Sequence, residues 1–306
     1  IEVRTRDFGR IAAQTARQVI IQGMREAERG MIYDEFSSKE HEILTGIITR
    51  IDPRSGAVAL RIGSGSESTE AYLSVNEQVR GETYQEGSRL RVYVVEVRRA
   101  TKGPQVLISR THPGLVKRLF ELEVPEIYDG TVEVKSIARE AGSRTKLAVW
   151  SADPDVDPIG ACVGPKGQRV GSIVEELRGE KIDIINWDDN PAFLIENALS
   201  PAKVISVVAD EDAKEAQVIV PDYQLSLAIG KEGQNARLAA RLTTYKIDIK
   251  SETQARELGL FDELEYGEYE GGYEGEIDAD VELEPMDESY EEPENADYQE
   301  EPEGSV

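Results

Sequence analysis

The segments Ile159-Gly160-Ala161-Cys162-Val163-Gly164-Pro165-Lys166-Gly167-Gln168 and Ser226-Leu227-Ala228-Ile229-Gly230-Lys231-Glu232-Gly233-Gln234 decide how this chain is read. Each sets two glycines three positions apart behind a short apolar stretch and follows the second with glutamine. Each then passes through a helical pattern into the same strand-like word, Lys-Ile-Asp-Ile, at residues 181–184 and 246–249. One glycine pair is an ordinary helix–helix turn. A loop, helix and strand that recur in one register are a supersecondary unit used twice.

The flanking sequence extends that unit. Leu115 to Leu122 has the spacing of a short amphipathic helix, which Pro125 ends. Thr131 to Ala138 and Lys146 to Ser151 alternate as strands around a turn at residues 141–144. Asp157-Pro158 supplies an N-cap and a proline at the first helical position. A one-turn helix, Ile159 to Val163, leads into the first GxxG, and a helix from Gln168 to Leu177 leads out to the strand Lys181 to Asn186. Asn190-Pro191 starts a second round: helix Ala192 to Leu199, strands Lys203 to Ala209 and Ala216 to Val220, and helix Tyr223 to Ile229. The second loop, the helix Gln234 to Leu242 and the strand Lys246 to Lys250 complete it, and beyond Ser251 the pattern dissolves. Only Trp187 to Asp189 separate the rounds, so a rigid pair is expected.

A helix, a tight turn and a second helix whose first amides are unsatisfied make a site for an anionic backbone. Glycine removes the Cβ that would keep phosphate and sugar off the main chain. Gly164, Pro165, Lys166, Gly167 and Gly230, Lys231, Glu232, Gly233 are the candidate clamps, with charge from Lys166, Lys231, Arg169 and Arg237. Ile159, Val163 and Ile229, with Ile182 and Ile247, are candidates for an apolar groove under the bases. This is the KH arrangement, in which a GxxG loop grips about four nucleotides of a single strand. Residues 160–166 do not have P-loop spacing, and residues 63–65 lack the third glycine of a dinucleotide fingerprint.

Ahead of the repeat, residues 7–30 read as a helix, with Asp7 as N-cap and Phe8, Ile11, Ala12, Thr15, Val19 and Ile20 as its apolar stripe. From residue 41 the period changes to two. Ile43 to Asp52, Gly56 to Gly63, Thr69 to Leu73, Arg89 to Val97 and Gln105 to Ser109 read as five strands, with turns at residues 52–56 and 102–104. That pattern fits a small OB-type barrel, a fold that commonly binds single strands through a basic groove and stacking aromatics. Tyr72 and Tyr93 are the strand aromatics and Arg50, Arg61, Arg89 and Arg91 the nearby cations; Tyr72 and Arg61 are the candidates for RNA contact, and Tyr93 reads as core.

A formal net charge of −25, taken over the whole chain, argues against nucleic acid. Its distribution removes the objection. Residues 257–306 carry 21 acidic and no basic side chains, which leaves about −4 over the first 256 residues. Residues 261–306 have a disordered composition, and their tyrosines and carboxylates are candidates to compete with RNA. Cys162 is the only cysteine and His41 and His112 the only histidines, which excludes an intrachain disulfide and a cysteine metal cluster. No cofactor, no metal site and no catalytic constellation is expected, and no apolar run reaches membrane-spanning length.

Longer words make a resemblance recognisable. Arg6-Asp7-Phe8-Gly9-Arg10-Ile11-Ala12-Ala13-Gln14-Thr15-Ala16, Leu107-Ile108-Ser109-Arg110-Thr111-His112-Pro113 and Glu123-Val124-Pro125-Glu126-Ile127 are three of them. Asp157 to Gly164, Trp187-Asp188-Asp189-Asn190-Pro191 and Ile229-Gly230-Lys231-Glu232-Gly233-Gln234-Asn235 are the others. In these words, over residues 3–252, the chain resembles the NusA family of bacterial transcription elongation, termination and antitermination factors. The resemblance implies a multidomain α+β chain: the end of an N-terminal domain at 1–36, an S1 (OB-fold) five-stranded β-barrel at 37–112 and type II KH domains at 113–190 and 191–253. An acidic tail at 254–306 stands outside that shared core. It also implies a cytoplasmic, non-enzymatic regulator that binds single-stranded nascent RNA beside RNA polymerase and modulates pausing, termination and antitermination with other Nus-type factors. A monomer with no membrane association is expected. Two other readings stay open on residues alone: an accessory module of the KH/S1 ribonuclease type, and an acidic protein-interaction hub.

Overall fold

A computed structural model describes residues 9–63, 65, 68–100 and 105–260. Helix α1 (Arg10–Ser37) runs past residue 30 because Ile32, Tyr33 and Phe36 continue the helical spacing and pack against the barrel. Phe36 is fully buried there, whereas Val19, Ile20 and Met24 further back are exposed. The cap expected at Asp7 and the turn at 102–104 lie outside the described residues, as does the acidic tail from residue 261.

Strands β1 (Ile43–Ile51), β2 (Val58–Ile62), β3 (Thr69–Leu73), β4 (Arg89–Arg98) and β5 (Gln105–Ser109) close into a barrel of order β1-β2-β3-β5-β4. Its interior holds the alternate apolar residues of each strand, among them Ile48, Leu60, Ile62, Leu73, Val92 and Val94.

The two rounds of the repeat fold alike. Helices α2 (Pro113–Glu123) and α3 (Pro125–Tyr128), strands β6 (Val132–Glu140) and β7 (Arg144–Ser151), helices α4 (Pro158–Val163) and α5 (Gln168–Glu176) and strand β8 (Lys181–Asn186) form the first. Pro125 thus opens a further helical turn as well as ending α2. The second comprises α6 (Pro191–Ala198), β9 (Ser206–Asp210), β10 (Glu215–Val220), α7 (Leu225–Ile229), α8 (Gln234–Thr243) and β11 (Lys246–Ser251). In each sheet the middle strand pairs antiparallel to the strand before it and parallel to the strand after it. Asp157 and Asn190 cap as expected, accepting from the amides of Ile159 and Ala192 at 3.1 and 2.9 Å. The pattern does not dissolve at Ser251. A further helix, α9 (Glu252–Glu257), begins there with a reciprocal capping box between Ser251 and Gln254, and Ala255 is buried.

Buried polar links join the parts. Arg110, 1 % exposed, donates to Glu82 of the barrel and to Glu176 of α5 at 3.1 Å. Arg139 forms a bidentate pair with Glu180 at 2.9 Å and donates to the carbonyls of Arg110 and His112. The first repeat has a core of its own, with Leu115, Phe120, Leu147, Cys162 and Ile173, and its Ala138, Ala148 and Ile185 join the core of the second repeat with Leu194, Ala198, Leu238 and Leu242. Across that seam Ser136 Oγ donates to the Leu242 carbonyl at 2.6 Å, and fully buried Lys146 donates to the Ser200 carbonyl at 2.8 Å.

Candidate nucleic-acid interface

The two GxxG loops have the same backbone. Gly164 and Gly230 take φ/ψ of 71/174° and 76/172°, and Gly167 and Gly233 take 73/16° and 74/16°. Between them Lys166 and Glu232 sit in the left-handed region, at 54/26° and 53/27°. Glycine is obligatory at the first position for a further reason: a Cβ on Gly164 would lie 2.6 Å from Arg169 Cγ, and one on Gly230 would lie 2.8 Å from the Asn235 nitrogen. Helices α5 and α8 start directly behind the loops with no side-chain cap, but their leading amides are not all unsatisfied: those of Gln168 and Gln234 bond back to the Pro165 and Lys231 carbonyls, and those of Gly167 and Gly233 to the Gly164 and Gly230 carbonyls at 3.1 Å. Such an N-terminus favours an anion.

Pro165, Lys166, Lys231 and Glu232 are exposed, and neither lysine has an ion pair among the described residues. Their shared backbone shows that the lysines are not equivalent: Glu232 occupies the place of Lys166, and Lys231 that of Pro165. The charge therefore falls one residue apart in the two loops. Arg169 and Arg237 are engaged. Arg169 donates to Glu126 at 2.8 Å and to the Ala161 carbonyl at 2.6 Å; Arg237 donates to Glu140 at 2.6 Å and to the Glu232 carbonyl at 3.1 Å.

Ile159 and Val163 on α4 and Ile182 and Ile184 on β8 are half-buried, with one side of each left to the surface; Ile229 and Ile247 hold similar places in the second repeat. A groove of about 390 Å³ joins the repeats, lined by Ile159, Ile184, Asn186, Asn197, Lys203 and Val204. Cys162 beneath the first loop is buried, and burial pushes its thiol up to about 12, which leaves it a packing residue.

On the barrel, Tyr72 is 48 % exposed and its hydroxyl donates to Glu70 and lies 3.4 Å from Arg50. Arg61 lies on the same outward face, in a row Arg89–Ile47–Arg61–Glu70 set by strand pairing. Tyr93 is core: its ring stacks on His112 at 4.7 Å and 4°, and its hydroxyl meets His41 Nδ1 at 3.2 Å.

Four family descriptions match successive stretches of the chain: the NusA N-terminal domain at residues 1–30, the S1 RNA binding domain at 37–109, the NusA-like first KH domain at 110–187 and the NusA-like second KH domain at 191–257. The transcription termination/antitermination protein NusA of Bacillus subtilis (strain 168) is 62% identical over 261 residues, covering 85% of this chain and 69% of its own. The chain belongs to the NusA family. The NusA of Mycobacterium tuberculosis (strain ATCC 25618 / H37Rv) is 57% identical over 249 residues, covering 80% of this chain and 72% of its own. That of Thermus thermophilus is 49% identical over 248 residues, with 81% and 63% covered.

Within the NusA frame the two loops belong to the first and second KH domains, and the residues behind them divide differently from the sequence reading. Asn235 stands where the first KH domain has Arg169, and Gly171 where the second has Arg237. Sequence reasoning missed Glu126, Glu140 and Asn235. Asn235 and Glu126 lie in the stretches that carry the family resemblance, but Glu126 and Glu140 acquire their roles only from contacts 43 and 97 residues away.

Proposed function

We propose that this chain is an RNA-binding transcription termination and antitermination factor whose paired GxxG loops hold the backbone of single-stranded nascent RNA. The observation that carries the reading is the duplicated loop: two left-handed turns of matching backbone, each at a helix N-terminus without a side-chain cap, on two domains joined where Ala138, Ala148 and Ile185 of the first enter the core of the second. At about four nucleotides per KH domain, the pair covers roughly eight. Free cation is supplied at the loop tips by Lys166 and Lys231, while Arg169 and Arg237 shape the loops from behind. Tyr72, Arg61, Arg50 and Arg89 on the barrel extend the basic surface.

The printed names of its relatives support termination and antitermination as the process in which the RNA is held. RNA polymerase is the proposed partner, reached mainly through the N-terminal domain that residues 1–30 match, along with other antitermination factors in the cytoplasm. The protein acts by binding and modulates pausing without catalysis. The test is replacement of Pro165, Lys166, Lys231 and Glu232 by Asp. RNA affinity falls in a gel-shift assay while the melting temperature holds. Unchanged binding removes the GxxG loops from the account.

A further inference from the structure

The two GxxG loops share their backbone angles but not their supports. In the first KH domain the support is internal. Arg169 packs under Gly164 and reaches Glu126 on α3 of the same domain, so a cation–carboxylate pair holds helix α4, the loop and α5 together. In the second, Asn235 takes that place and bonds only carbonyls of its own domain, Leu199, Leu227 and Ala228. Among the described residues no cation–carboxylate pair from within the second domain backs its loop.

The pair comes from the neighbour. Glu140, at the end of β6 in the first domain, receives Arg237 Nε at 2.6 Å and Gln234 Nε2 at 2.9 Å, and lies 3.8 Å from Arg241. Ser143 of the same hairpin accepts from Gln234 at 2.8 Å. Arg237 passes the contact on: its second nitrogen donates to the carbonyl of Glu232, the left-handed residue of the loop. Gln168, the counterpart of Gln234, is exposed and its side chain forms no such bond among the described residues. The strand registers also set Asp210 where the first domain has Glu140, and Asp210 accepts only the amides of its own turn, Asp212 and Ala213. The arrangement at Glu140 therefore belongs to the junction and not to the KH fold.

We propose that Glu140 is a positioning residue for RNA binding: through Arg237 and Gln234 the first KH domain sets the second domain's GxxG loop, whereas the first domain's loop supports itself. The dependence runs one way. The proposal rests on the reading of both loops as RNA clamps, and a clamp contributes affinity in proportion to how well it is pre-formed.

The experiment is a mutant cycle on the full chain, read by fluorescence anisotropy with an unstructured single-stranded RNA of about eight nucleotides, a length that spans both loops. Glu140→Gln keeps the side-chain shape and removes the charge; Glu140→Ala removes both. Each weakens binding, by roughly fivefold for the alanine variant. In a background where Lys231 and Glu232 are replaced by Asp, Glu140→Ala produces no further loss, because the loop it positions is already disabled. In a background where Pro165 and Lys166 are replaced by Asp, the full loss remains. Equal losses in both backgrounds mark a general structural role and overturn the proposal, as do an unchanged affinity or a gain from arginines released toward phosphate. If the unaltered chain and both loop variants bind the RNA alike, the clamp reading fails. If the loop variants lose affinity and the Glu140 variants do not, only the positioning role fails.

Discussion

Arg169 and Asn235 occupy one position in the two repeats, and both donate to carbonyls of the helix that precedes the loop: Arg169 to Ala161 at 2.6 Å, Asn235 to Ala228 at 3.1 Å and Leu227 at 3.4 Å. A guanidinium and an amide thus perform the same tie. The arginine is half-buried and needs Glu126, while the amide is buried and neutral. Asn235→Ala removes the side-chain donor from the Leu227 and Ala228 carbonyls, while the Leu199 carbonyl keeps the Ala202 amide at 3.1 Å, and an orphaned buried polar group costs about 1–3 kcal/mol. The midpoint of urea denaturation falls accordingly, with the slope unchanged. An unchanged midpoint contradicts the tie.

Glu180 gives the first KH domain a pH dependence. Burial alone would raise its carboxyl, but the bonds from Arg139, Thr145 and the Gly142 amide outweigh burial and hold it below its ordinary 4.5. A carboxylate lowered on folding contributes fully above about pH 4.5 and loses its contribution as the pH falls toward its folded value. Glu180→Gln leaves Arg139 buried without its counter-charge, a loss of about 3–5 kcal/mol near neutral pH. Denaturant titrations across pH then show the gap between variant and unaltered chain narrowing below about pH 4.5.

Lys166 and Lys231 are the free cations at the loop tips, so they set the ionic part of the affinity. Each phosphate neutralised adds about 0.7 to the salt slope for a single strand. Neutralising both lysines with Gln therefore reduces the slope of log affinity against log salt by at most about 1.4. The slope that remains reports phosphates held by other cations, the barrel row of Arg89 and Arg61 among the candidates, and an unchanged slope contradicts the role of the two lysines.

Arg110 locks the barrel to the first KH domain, with Glu82 on one side and Glu176 on the other. Arg110→Ala strands Glu82, itself 5 % exposed, and costs about 3–5 kcal/mol. Calorimetry is expected to show the barrel and the KH pair melting separately in the variant. A single unshifted transition contradicts the lock.

Much of this was legible in residues. The GxxG repeat fixed the order of elements in both KH domains because its glycines are demanded locally, by positive φ and by the approach of the following helix. Alternation located the five barrel strands because one side of each is buried. Helix α9 was also written locally, as the Ser251–Gln254 capping box, but the acidic run that follows hid it. The ion pairs were not legible. Arg237 reads as a free cation beside a loop until a carboxylate 97 residues earlier is folded against it. Tyr93 reads as core and is buried, but its stacking partner, the His112 ring, was not legible.

The central claim is that RNA is held by both loops together. The most direct measurement is the affinity of the unaltered chain, of each single-loop aspartate variant and of the double-loop variant for one single strand of about eight nucleotides, with melting temperatures taken alongside. Each single-loop variant is expected to lose affinity, the double-loop variant more, with no fall in melting temperature. Full affinity in the double-loop variant would contradict that claim.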